Sequence, residues 1–186
     1  MKIIAGVDEV GRGSLIGPVY AAAVILNESI NTKILKDSKT LSKEKREDLN
    51  FYIKKNSIWA IGQASVKEIE KINILHASLL AMKRAIIKLN MKPTLVLIDG
   101  NKLPNLKNYK LEYVIKGDQK IPSISAASII AKVSRDKFIT KISKQFKSYG
   151  WDTNSGYGTK EHLRAIKQHG ITKHHRRTFS PISSLL

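Results

Sequence analysis

Short unbroken apolar runs open the chain, and helical spacing takes over further on. Residues 3–7 are brief and apolar enough to be a buried strand, and residues 19–26 (VYAAAVIL) a second one, hairpin-paired with the first. Ser42 is suited to cap a helix whose apolar face carries Leu49, Tyr52 and Ile53. Residues 58–66 read as a third strand, followed by a short turn of helix over 67–72. Leu75, Leu79, Met82, Ile86 and Leu89 then recur at alternating steps of four and three, a stripe that predicts a core-facing helix. Residues 94–98 form a fourth strand closing on Asp99-Gly100, and 111–115 a fifth that ends on Gly117-Asp118. A long helix is expected from about 122 to 146. Its small-sided start, 123–131, permits close approach to the sheet. The tail carries Ser155-Gly156-Tyr157-Gly158-Thr159, a helix through about His169, and the cluster His174-His175-Arg176-Arg177.

Three early strands extended by two more through helical crossovers predict an α/β fold. Its mixed five-stranded sheet is flanked by helices, in one domain spanning 1–186 with a C-terminal helical segment over about 150–186.

Charge narrows the function. Lys and Arg total 33 against 15 acids, a net charge of +18 spread along the chain rather than confined to a tail. Such a field favours a polyanion, most simply nucleic acid, although a Lys-rich composition alone gives the same number. With no cysteine, disulfides and thiolate zinc sites are excluded. The five histidines form no convincing zinc set, and the His174–Arg177 cluster is expected to touch phosphate or cap a helix end. No apolar run approaches the ~18 residues of a membrane span and no leader precedes the first strand. A cytoplasmic protein without membrane contact is expected.

The candidate chemistry lies in the acids. Asp8 and Glu9 follow the first strand, Asp99 the fourth and Asp118 the fifth, so all are expected at one edge of the sheet, where open α/β sheets gather their ligands. Converging carboxylates repel one another, and a bound cation makes the arrangement tolerable. All-oxygen ligation selects Mg²⁺ or Mn²⁺, and two such ions about 3.5–4 Å apart support in-line phosphoryl displacement. Asp136, deep in the long helix beside Arg135, is a rival fourth acid and reads as a structural ion-pair partner. Gly11-Arg12-Gly13 follows the acid pair directly, and its glycines let backbone approach a ligand.

The strings GVDEVGRGSLIGPV, DSKTLS, LIDG, KGD with SISAASIIAKVSRD, and SGYGTKEH occur in order from about residue 4 to 179. Together they resemble the type 2 ribonucleases H, specifically the bacterial ribonuclease HII family. The resemblance implies a ribonuclease H-like fold and an endoribonuclease that cuts the RNA strand of RNA–DNA hybrids. It also implies incision 5′ of single ribonucleotides embedded in duplex DNA, leaving 3′-hydroxyl and 5′-phosphate ends. Carried over by position, the catalytic metal ligands are Asp8, Glu9, Asp99 and Asp118. The backbone of Gly11-Arg12-Gly13 would meet the ribose 2′-hydroxyl and nearby phosphates, Tyr157 would pack on the junction sugar, and Lys39 would reach a phosphate.

The extra N-terminal domain of ribonuclease HIII is not expected. The ending SPISSLL shows no clamp-recruiting motif, and a monomer is expected. Another nuclease of the same fold, of transposase or resolvase type, would use similar acids but has no need of the GRG and GYG elements. A non-catalytic nucleic-acid-binding protein would explain the charge but not the four acids.

Overall fold

The computed structural model describes residues 2–35 and 42–185. Strand β1 (Ile4–Val10) pairs antiparallel with β2 (Val19–Leu26), and β2 pairs antiparallel with β3 (Ser57–Ala64). On its other side β1 runs parallel to β4 (Leu95–Asp99), which runs parallel to β5 (Leu111–Val114), giving the sheet order β3-β2-β1-β4-β5. The five strands and their mixed pairing agree with the pattern along the chain.

Alternation along β2 divides the core. Ala21, Ala23 and Ile25 face helix α2 (Val66–Ile87), whereas Ala22 and Val24 face α1 (Lys43–Lys55) and α4 (Pro122–Ser143), the two-residue period of a strand buried on both sides. Ser42 caps α1 by accepting from the Lys45 amide, and Leu49 and Ile53 are buried as expected, with Tyr52 half-buried. Between β2 and α1, residues Thr32–Leu35 form a 3₁₀ turn.

Several boundaries differ from the sequence reading. The third strand stops at Ala64 because Ser65 is taken up as a helix cap: its hydroxyl accepts from the Glu68 amide, and the Glu68 carboxylate accepts from the Ser65 amide, a reciprocal capping box. Helix α2 is broken at Asn73, at φ 63°, whose side-chain oxygen receives the His76 amide and restarts the helix. The expected short helical turn before the long one is this first half. The apolar stripe is displaced. Ala77, Ala81, Met82, Ala85 and Ile86 are buried, and Leu75, Leu79 and Leu89 only half-buried. The sheet sets this choice, because a Cβ on Gly62 of β3 would collide with the Ala81 carbonyl and Ala85 amide. Only an alanine ridge permits that approach.

Helix α4 ends at Ser143, one turn short of expectation, with the 3₁₀ turn Lys147–Tyr149 following. Its small-sided start does what the sequence suggested. A Cβ on Gly6 of β1 would meet the backbone of Ser123 and Ile124, so helix and strand touch backbone to backbone. Beyond it lie α5 (Trp151–Asn154) and α6 (Lys160–His169). A third core unites Trp151, Tyr149, Ala165 and Ile166 with Leu15 and Ile16. The C-terminal segment is thereby packed onto the turn between β1 and β2. Among the described residues no helix is long and apolar enough to cross a membrane.

Candidate active site

Asp8 and Glu9 lie inside β1 rather than beyond it, because β1 continues to Val10 in its pairing with β2. The parallel pairing with β4 stops three residues earlier, at Val7 opposite Ile98. Asp8 and Asp99 are therefore the next residues along two adjacent strands. Asp8 is 5% exposed and accepts from the Ser128 hydroxyl of α4 and, at 2.7 Å, from the Glu9 amide. Asp99 accepts from the Gly117 amide at 2.6 Å.

Asp118 does not end a strand. After β5 the chain turns through Lys116 at φ 56° into α3 (Gly117–Lys120), and Asp118 sits in that short helix, one residue past the amide bound to Asp99. It lines a crevice with Leu35, Pro122 and Ser125.

Burial pushes the Asp8 carboxyl well above its usual range, with the charges of Glu9 and Asp99 adding to the effect and Ser128 opposing it. Burial likewise raises Glu9; Arg12 opposes this and Asp99 reinforces it. Asp8 thus feels the charges of both Glu9 and Asp99, and Glu9 that of Asp99. Among the described residues no trio of acidic or histidine side chains is drawn into a closed metal cage. Asp136 is not part of the group. It pairs with Lys132 one turn back at 2.8 Å, the ion-pair role expected of it.

The glycine turn adjoins these acids. Arg12 folds back so that Nη1 lies 3.3 Å from Glu9 Oε1. Gly11 has φ +91°, and a Cβ there would strike the Arg135 guanidinium, so glycine is required twice over. Gly13 is exposed, and a Cβ on it would only brush the Tyr157 ring at 3.8 Å. Tyr157, 39% exposed, stands 5.7 Å above Arg135. The loop carrying it is fastened to the turn: Gly156 O accepts from the Leu15 amide at 2.9 Å and from Ser14 Oγ at 3.0 Å. The structure therefore brings Asp8, Glu9, Asp99, Gly11, Arg12, Gly13 and Tyr157 to one region, with Asp118 attached through Gly117. Lys39 and its DSK motif lie outside the described residues.

Three supporting residues were missed. Arg176, expected to touch phosphate or cap a helix end, is fully buried. Its Nη1 donates to Arg12 O and its Nε to Gly17 O, each at 2.9 Å, and its amide to Leu15 O. Burial and the charge of Arg135 lower it to about 9, so it stays cationic at neutral pH. Arg135, also fully buried, donates from Nη2 to Ser155 O at 3.1 Å. His162 holds Tyr157 from behind. Trp151 Nε1 donates to His162 Nε2 at 2.9 Å, which leaves the proton on Nδ1, 2.9 Å from Tyr157 O. His175 accepts the Thr172 amide at Nδ1, so its own proton sits on Nε2, 3.3 Å from His162 Nε2; both tautomers follow from their partners. The neighbouring string HHRR carried a signal only in its unusual density of side chains that can bind carbonyls.

A cleft of about 850 Å³ opens at the far end of β1 among Ile3, Ile4, Leu26, Ile58 and Pro122, and contains none of the four acids. The acids therefore do not line the pocket that a small-molecule enzyme would use.

Sheet order, crossovers and acids on adjacent central strands define a ribonuclease H-like α/β fold. A family model described as Ribonuclease HII matches residues 5–182. A ribonuclease HII of Pelagibacter ubique (strain HTCC1062) is 87% identical over 186 residues, the full length of both chains. The crystal structure of ribonuclease H2 from Pyrococcus horikoshii OT3 superposes with a TM-score of 0.81 at 29% identity, covering 98% of this chain and 96% of that one. A Bst ribonuclease HIII crystallised with Mn²⁺ shares the fold at TM-score 0.77 and 19% identity, covering 98% of this chain and 68% of its own. The chain belongs to the ribonuclease HII family, the type 2 ribonuclease H endoribonucleases.

Proposed function

We propose that the enzyme uses Mg²⁺ or Mn²⁺ to hydrolyse the RNA strand of RNA–DNA hybrids. We further propose that it incises 5′ of a single ribonucleotide in duplex DNA, leaving 3′-hydroxyl and 5′-phosphate ends. The observation that carries this reading is the direct succession, within six residues, of a buried acid, a half-buried acid and a glycine turn exposed at Arg12 and Gly13, with Tyr157 beside it. A polymer-cutting centre and a sugar-sized surface thus adjoin.

The donor set fits the ion. Asp8 and Glu9 offer carboxylate oxygens, their carboxyls raised by burial and by neighbouring acids, Glu9 and Asp99 for the first and Asp99 for the second, an imbalance that a hard divalent cation relieves. Asp8, Glu9, Asp99 and Asp118 would hold it. Bound there, such ions would supply activation of a water and stabilisation of the leaving oxygen.

The chain's own residues do the rest. The turn amides meet the ribose 2′-hydroxyl, the one group that separates RNA from DNA at a given sugar. Tyr157, held by His162 and Arg135, packs on the sugar and fixes the phosphate in line for attack. Lys39 reaches a neighbouring phosphate.

The test is a labelled duplex with one ribonucleotide, its all-DNA twin as control, and Mg²⁺ or Mn²⁺ added. A single cut 5′ of the ribonucleotide and none in the control is expected, with Tyr157→Ala lowering cleavage more than affinity. A site built to bind a hydroxyl can reject the analogue lacking it by ~10⁴–10⁵. Equal cutting of both duplexes, or cuts only within runs of ribonucleotides, would refute the proposal.

A further inference from the structure

We infer that Arg176 is a positioning residue that aims the Gly13 N–H at the sugar of the substrate. The inference rests on the proposal that this turn meets a 2′-hydroxyl, and adds how a buried side chain from the far end of the sequence prepares it.

The geometry begins with one peptide plane. The only cis peptide bond among the described residues is Ser180–Pro181, so Arg12–Gly13 is trans. In a trans peptide the carbonyl and the following N–H point in opposite directions. Arg176 Nη1 fixes Arg12 O from below at 2.9 Å. The Gly13 N–H must therefore point away from the protein interior, and it has no acceptor among the described residues.

The rest of Arg176 prevents the plane from flipping. Its Nε holds Gly17 O, its amide holds Leu15 O, and the Gly17 amide donates to the His174 carbonyl at 2.8 Å. Three carbonyls within residues 12–17 thus accept from one residue. A guanidinium reaches two of them at once because its donors lie in a rigid plane, which an ammonium cannot imitate.

The charge also has a purpose that a neutral staple would lack. Arg176 Nη2 and Arg135 Nε and Nη1 are buried without partners, and neither arginine forms a salt bridge among the described residues. Burying an incompletely paired cation is costly. Placed at the oxygen end of the Arg12–Gly13 peptide, the cation polarises that peptide and strengthens the N–H at its other end.

The experiment uses Asp99→Asn protein, expected to bind without cutting, with and without Arg176→Lys or Arg176→Met. Affinities are measured in Mg²⁺ for the duplex with one ribonucleotide and for its all-DNA twin. With Arg176 intact the ribonucleotide duplex should bind more tightly. In either variant that preference should fall roughly tenfold, the worth of a single hydrogen bond, while all-DNA affinity stays within about twofold. Equal weakening on both duplexes would make Arg176 a fold staple and overturn the inference, as would a preserved preference. Absence of any preference with Arg176 intact would instead defeat the proposed function. If Arg176→Met does not fold, Arg176→Lys carries the comparison. Independently of both, the ¹⁵N-labelled Gly13 amide of Arg176-intact protein should shift on adding the ribonucleotide duplex and not its twin. An unmoved resonance would also overturn the inference.

Discussion

Replacing Asp8 by asparagine should make the metal-free protein more stable while abolishing cleavage. Asp8 is 5% exposed and is raised by burial together with Glu9 and Asp99. At neutral pH its ionised form is therefore a cost to the fold. Asparagine keeps the shape and one oxygen to accept the Glu9 amide, removes the charge, and offers an NH₂ to the neighbouring carboxylates. Relief of a buried, repelled carboxylate is worth about 1–3 kcal/mol. For a chain of this size each kcal/mol moves the melting temperature by roughly 2–4 °C. A rise of about 3–10 °C is expected in EDTA at pH 7.5.

The gap follows the sign of the shift. A carboxyl raised in the folded state costs stability above its folded pKa, and the cost fades as pH falls through that value towards 3.8, so wild type and Asp8→Asn should converge in acid. Mn²⁺ should reverse the order, because a ligand at 100 times its Kd adds about 2.7 kcal/mol only where it binds. Thermal melts in EDTA and across a Mn²⁺ titration provide the test. Asp8→Asn melting at or below wild type in EDTA would show that the Asp8 charge supports the fold, and the argument for metal at this site would lose its footing.

Binding of an RNA–DNA hybrid should weaken with salt at ~0.7–0.9 log units per phosphate contact per log unit of salt, giving a slope far below the net charge of +18; a flat titration would reject the phosphate-binding role of the lysines. His175, lowered to about 4 by burial and by His162, stabilises the fold above the unfolded value of 6.5. Up to roughly 3 kcal/mol should be lost as pH falls from 6.5 towards 4. Urea midpoints measured in the Asp8→Asn background, which removes the more strongly raised of the two opposing carboxyls, should show this decline, and an unchanged midpoint would contradict a neutral His162–His175 pair.

The parts of the fold that the sequence disclosed are those fixed by local rules. The apolar run Val19–Leu26, the cap at Ser42 and the small start of α4 each depend on near neighbours, and each is found in the structure. The α2 stripe was misplaced because its register is decided by Gly62 on another strand, which admits alanines and excludes leucines. Asp118 was expected at a strand end because nothing nearby announces that Lys116 takes a positive φ and starts a helix. The acids and the glycine turn were legible because they are contiguous or end apolar runs. Arg176, Arg135 and His162 were not, since their partners are backbone carbonyls, and a carbonyl has no letter in the sequence. A basic string reads as surface until the fold shows which oxygens it meets.

Arg176 and Arg12 O stand 164 residues apart, which ties the turn to the order of synthesis. A ribosome makes Asp8, Glu9, Asp99 and Asp118 well before the residue that braces the turn. While the nascent chain is still growing, its acids can gather on the sheet, but nothing yet grips Arg12, Leu15 and Gly17 from below. A message broken before the codon for Arg176 would yield a chain with its four acids and no brace for the glycine turn beside them. A residue made after all four acids therefore completes the turn proposed to meet the substrate's sugar.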